Sequence, residues 1–141
     1  MKYLSDVFHL NRDLPDAPVL KYLSTTTFRV YLQFCLKCQM EKIKRSGRKP
    51  DWYIKNNGKI IFTYKEAEQK LNISRSSFTR AIDSLIKYGF IEIQRLGGGT
   101  AQIPTLYAIV DNWRNWETPQ FKINLRPIDK RRKGWIKNLK V

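Results

Sequence analysis

Between positions 74 and 88, guanidinium, ammonium and hydroxyl groups recur at a spacing that gathers them on one side of a helix. Arg75, Ser76, Thr79, Arg80, Asp83 and Lys87 fall opposite the apolar positions Phe78, Ile82 and Leu85. An arginine in such a row can bridge the two acceptors of a guanine edge, and Ser or Thr can bond a base or a phosphate. The free N–H groups at the helix start add a preference for an anion. A second group lies at 95–100, where Arg95 precedes Gly97, Gly98, Gly99 and Thr100. Nested backbone N–H groups in such a loop can touch a phosphate, and the plainer reading is a flexible hairpin tip. A nucleotide-cradling loop would need Gly-Lys-Ser/Thr running into a helix, whereas extended segments flank this one on both sides. The third group is Lys130, Arg131, Arg132 and Lys133, followed by Trp135. These cations can neutralise phosphates of DNA or RNA while the indole stacks or packs, or they can serve solubility alone.

The overall charge agrees with a polyanionic partner. The 141 residues hold 27 Lys and Arg against 12 Asp and Glu, a net charge of +15. Residues 1–24 are balanced, and residues 59–118 carry eight basic against six acidic groups. The surplus lies in 25–58, with eight against two, and in 119–141, with eight against one. Two basic flanks therefore border a more neutral centre, which must be read as a fold.

Other chemistries find little support. Cys35 and Cys38 are the only cysteines and His9 the only histidine, so a four-ligand zinc site cannot be assembled from them. The cysteines lie in an apolar helical run and read as core. A histidine-dependent nuclease or a Ser-His-Asp arrangement lacks its partners, and Glu66 is claimed by a helix cap. No enzyme, metal or cofactor is expected. No apolar stretch approaches the ~18 residues of a membrane span, and the start lacks the apolar core of a secretory signal. A cytoplasmic, nucleoid-associated protein is the expectation.

The elements that must position these groups follow from caps and periodicity. Residues 1–23, interrupted by Pro15 and Pro18, read as an arm laid over the domain by Val19, Leu20 and Tyr22. Ser24 and Thr25–27 offer N-caps for a first helix over about 26–44, apolar through Phe28, Tyr31, Leu32, Cys35 and Leu36. Val30, Phe34 and Cys38 widen that face, so the helix should be covered from two sides, by the arm or by a second copy in a homodimer. Residues 45–58 read as a loop and 59–62 as a short strand. Thr63-x-x-Glu66 is a capping box for a second helix ending near Leu71, with Asn72 suited to a left-handed turn. Ser74 caps the third helix and Gly89 ends it. Strands follow at 90–95 and 106–110, and Trp113 and Trp116 lie in a helical turn. With Trp52, these indoles read as core or interface anchors before stacking platforms.

The run Leu71-Asn72-Ile73-Ser74-Arg75-Ser76-Ser77-Phe78-Thr79-Arg80-Ala81-Ile82-Asp83-Ser84-Leu85 resembles the helix-turn-helix of GntR-type regulators. Gly89-Phe90-Ile91 and the glycines before Thr100 resemble the strand and wing tip that follow it in that family. The likeness covers about 63–110. It implies an α+β winged helix-turn-helix; the residues on either side add, beyond the likeness, an arm at 1–23 and a flexible basic tail at 119–141, with the domain at 24–118. It also implies that Arg75, Ser77, Arg80, Gly98, Gly99 and Thr100 touch DNA. With no effector-binding domain in view, metabolite sensing is not expected. The layout is similar to small winged-helix proteins of phages, other mobile elements and plasmid replication. The expected function is sequence-specific binding of double-stranded DNA, in transcription or replication. An RNA- or ribosome-associated protein and a protein-docking module are the alternatives.

Overall fold

Three hydroxyl caps start the three helices of the computed structural model, which describes residues 10–43, 47, 51–99 and 102–127. The Ser24 side chain accepts from the Thr27 N–H at 3.1 Å and opens α1, Thr25–Lys37. Thr63 accepts from the Glu66 N–H at 3.2 Å and opens α2, Tyr64–Leu71. Ser74 accepts from the Ser77 N–H at 3.1 Å and opens α3, Arg75–Lys87. Each such cap contributes about 1 kcal/mol. Asn72, at φ 53° and ψ 46°, makes the left-handed stop that turns the chain from α2 into α3. Past the end of α3, Gly89 has φ +86°, and a Cβ there would come within 2.7 Å of the Trp113 backbone nitrogen. Only glycine serves at that position.

Two departures from the sequence reading share one cause. The first helix stops at Lys37 rather than near 44: its last expected turns form β1, Met40–Ile43, which pairs antiparallel with β2, Asp51–Ile54, inside the expected loop. Asn56 makes the switch. Its Nδ2 donates to the Lys37 carbonyl at 2.9 Å, and its Oδ1 accepts from the Gln39 N–H at 2.8 Å. One side chain thus satisfies an end-of-helix carbonyl and the first amide of the departing chain. The strand expected at 59–62 contracts to a single bridge, Ile60 to Tyr107, with N–H···O distances of 3.2 and 2.8 Å. The capping box is also only half made, because the Glu66 carboxylate turns to Lys37 and Lys70.

After α3 the chain forms β3, Ile91–Arg95, and returns as β4, Leu106–Ile109, with Ile91 opposite Ile109 and Ile93 opposite Tyr107. A short turn, Asn112–Asn115, follows. The three helices enclose a core joined by edge-to-face aromatic contacts. Phe34 meets Phe62 at 5.2 Å and Tyr107 at 5.1 Å, and Tyr31 meets Phe90 at 4.9 Å. Trp113 is buried and stacks on Phe90, as the core reading of that indole required, whereas Trp52 is half exposed.

The arm belongs to the same core. Its two short 3-10 turns, Leu14–Asp16 and Pro18–Tyr22, bury Leu14 and Val19 in one cluster with Val30, Tyr31, Phe34 and Cys35 of α1. Within a single chain, Leu36 is the apolar residue of α1 left exposed. Three packed helices with a hairpin after the third match the general winged helix-turn-helix architecture.

Candidate nucleic-acid interface

The faces of α3 divide sharply by polarity. Phe78, Ala81, Ile82, Leu85 and Ile86 are buried. Arg75, Ser76, Arg80, Asp83 and Lys87 are exposed, with Ser77 and Thr79 half-buried beside them. Arg75 is not a loose cation. Its guanidinium lies 4.4 Å from the ring centroid of Tyr64, the first residue of α2. The Tyr64 hydroxyl bonds the Thr79 hydroxyl at 3.2 Å, and Thr79 in turn donates to the Arg75 carbonyl at 3.0 Å. Thr79 therefore braces the helix rather than pointing outward. Ser77 is also a support: it accepts from the Ser74 hydroxyl at 3.0 Å and from an Arg80 nitrogen at 3.4 Å. Lys87 stands apart from this group, about 18 Å along the axis from Arg75.

The hairpin that follows lies beside the helix across a cleft of ≈ 430 Å³, lined by Tyr64, Arg75 and Phe78 on one side and Gly97, Ile103 and Thr105 on the other. Arg95 is exposed and donates to the Pro104 carbonyl at 3.1 Å, tying the two strands together. The glycines do different work from the one read for them. The Gly97 N–H donates to the Thr105 hydroxyl at 2.9 Å, and the Gly98 N–H to the Ile103 carbonyl at 2.7 Å. Both amides are spent inside the hairpin, which withdraws them as donors to a phosphate. A Cβ on Gly97 would lie 2.3 Å from the Thr105 nitrogen, so this glycine permits close approach of its own chain. Gly98 and Gly99 are exposed, with φ of +101° and +77°, and shape the tip. Thr100, Lys130, Arg131, Arg132 and Lys133 lie outside the described residues.

The segment read as the start of a tail is tied back onto the domain. Asn112 grips Lys122 through both backbone groups, at 2.8 and 3.1 Å, and Phe121 packs edge-on against Trp116 at 4.9 Å. Arg126 then reaches α3, where its Nε lies 2.6 Å from the Asp83 Oδ1 and its Nη2 lies 3.4 Å from the Thr79 carbonyl. Sequence reading found neither Arg126 nor Tyr64. The available signal was Asp83, a lone acid in an otherwise basic row that required a counter-ion.

The thiols take no part in this surface. Burial pushes Cys35 up to about 11 and Cys38 to about 12, the nearby Cys35 adding to the shift of Cys38. Both stay protonated at neutral pH, the wrong state for a metal ligand or a nucleophile. Among the described residues no group of three His, Cys, Asp or Glu is placed to hold a metal ion, and no helix is long and apolar enough to cross a membrane. No protein-family model matches the chain, and neither a curated protein nor a solved structure matches it.

Proposed function

We propose that the protein binds double-stranded DNA with sequence preference, laying α3 in the major groove and the β3–β4 hairpin along the flanking backbone. The observation that carries this reading is the exposed face of α3, where braced cations and hydroxyls stand over a fully buried apolar side. The major groove is about 12 Å wide and a helix with its side chains about 10–12 Å across. Arg75, Ser76 and Arg80, on the first turns, then meet base edges. Ser77, Lys87 and Arg95 serve the backbone, and the tip at Gly98, Gly99 and Thr100 passes close to it by shape, without the Gly98 amide that bonds Ile103. Lys130, Arg131, Arg132 and Lys133 supply attraction that ignores sequence. The biological setting that fits is transcriptional regulation or replication of a phage or other mobile element. A protein-docking role would want apolar side chains on the exposed side of α3, and that side carries none.

The test begins with selection of bound duplexes from a random pool, with single-stranded RNA as competitor. A palindromic product would also identify a homodimer. On the selected site Arg80→Ala should cost about 1–3 kcal/mol, with much less lost on a scrambled site. Truncation after Pro127 should weaken both sites alike and make the salt dependence shallower. If Arg80→Ala keeps full discrimination while the truncation abolishes it, α3 is not the reader. Preference for the RNA would replace the DNA reading altogether.

A further inference from the structure

The single acid of α3, Asp83, sits in the row proposed to face DNA, where an uncompensated carboxylate would repel every phosphate nearby. It is half-exposed, and its described partner comes from 43 residues further along the chain. Arg126 arrives there by a defined route. Trp116 and Phe121 pack together, Asn112 holds Lys122 by both of its backbone groups, and the chain then runs to the edge of α3. Arg126 and Pro127 also line the cleft between α3 and the hairpin, which is the space a DNA backbone would pass. The second bond, to the Thr79 carbonyl, fixes the guanidinium against the helix rather than leaving a single exposed pair.

We propose that Arg126 is a positioning residue of the DNA-facing surface: it cancels Asp83 and makes residues 122–127 a strap that extends this surface beside α3. The inference rests on the reading of α3 as the DNA-contacting helix. The opposite possibility is a strap that shields the helix and lowers affinity. Charge distinguishes the two. The wild-type pair is neutral, Arg126→Ala leaves one negative charge, Asp83→Asn leaves one positive charge, and the double variant is neutral again.

The experiment measures affinity for the selected duplex at low salt for these four full-length proteins and for Arg126→Lys, with thermal melts to confirm folding. Arg126→Ala should bind about fivefold or more weakly. Asp83→Asn should bind as well as wild type or better. The double variant should return to within about twofold of wild type, and Arg126→Lys should stay close to it. All differences should shrink near 1 M salt, where the screening length is about 3 Å. A double variant as weak as Arg126→Ala would mean that the arginine acts by holding the fold, and would overturn the proposal. Tighter binding by Arg126→Ala would overturn it in favour of shielding, and unchanged binding would remove any role for the strap. A wild-type protein that binds no duplex at all would instead defeat the reading of α3 itself.

Discussion

The β1–β2 and β3–β4 hairpins are both short antiparallel pairs, yet one has a buried side and the other has almost none. In β3–β4, Ile91, Tyr107 and Ala108 are buried, and Ile60 adds a bridge along the outer edge of β4. In β1–β2, Glu41, Lys42, Ile43, Asp51, Trp52 and Tyr53 are all exposed. A two-stranded hairpin with no core face is marginal in water, so β1–β2 must be held by other means. Its own cross-strand contacts are modest: Lys42 lies over Trp52 at 5.7 Å, and the Tyr53 hydroxyl donates to Glu41 at 2.8 Å. The stronger attachment is at its root. Asn56 grips the end of α1, and the Asn57 amide pairs with both backbone groups of Ile109 at 2.9 and 2.7 Å. Burial fixes one hairpin and two asparagine side chains moor the other.

This contrast is easiest to break with an alanine in each. Ile91→Ala should cost about 2–5 kcal/mol of global stability in denaturant titration. Ile43→Ala, 40% exposed, should stay within about 0.5 kcal/mol. Comparable losses at the two positions would show that β1–β2 has a packed face after all. The glycines sharpen the contrast with a smaller effect. Gly97→Ala drives a methyl into backbone atoms of 103–105 and should cost about 1–3 kcal/mol. Gly47→Ala meets nothing within 4 Å and should cost only about 1 kcal/mol, for its φ of +73°.

Alkaline pH should produce the gentlest separation. Burial raises Tyr107 from its ordinary 10.0 to about 12 and Cys35 from 9.0 to about 11. The unfolded chain releases these protons first, so their contribution is intact below pH 9 and is lost as pH climbs towards 12. Tyr53 is also raised, through its bond to Glu41, but on an exposed side chain. Melts between pH 9 and 12 should therefore fall less steeply in Tyr107→Phe and follow wild type in Tyr53→Phe. Equal slopes in all three would mean that Tyr107 is not desolvated.

What the sequence made legible was local or periodic. The caps at Thr63 and Ser74, the left-handed Asn72, the stop at Gly89 and the apolar row of α3 each follow from a few neighbouring residues. The end of α1 was not legible, because Met40, Glu41 and Lys42 are good helix formers and the override comes from Asn56, well downstream. Gly97 misled for a related reason: glycine marks close backbone approach whether the visitor is a phosphate or the returning strand. Within the candidate site, the exposed cations of α3 could be read from periodicity. The Tyr64 brace and the Arg126 pair depend on long-range geometry that no local pattern records.

The arm and the segment after β4 are fastened to each other across most of the chain. Asp13 binds Arg114 at 2.9 Å, and the Tyr22 hydroxyl donates to Glu117 at 3.1 Å, contacts 101 and 95 residues apart. Loops of that size close late, because their entropy must be spent before any contact returns it. During synthesis the arm precedes these partners and can gain them only after residue 117 has been made. Until then, the side chains of Asp13 and Tyr22 lack these two partners. The latch between the two segments is thus a mark of completeness: it can close only on a chain that holds everything from residue 13 to residue 117.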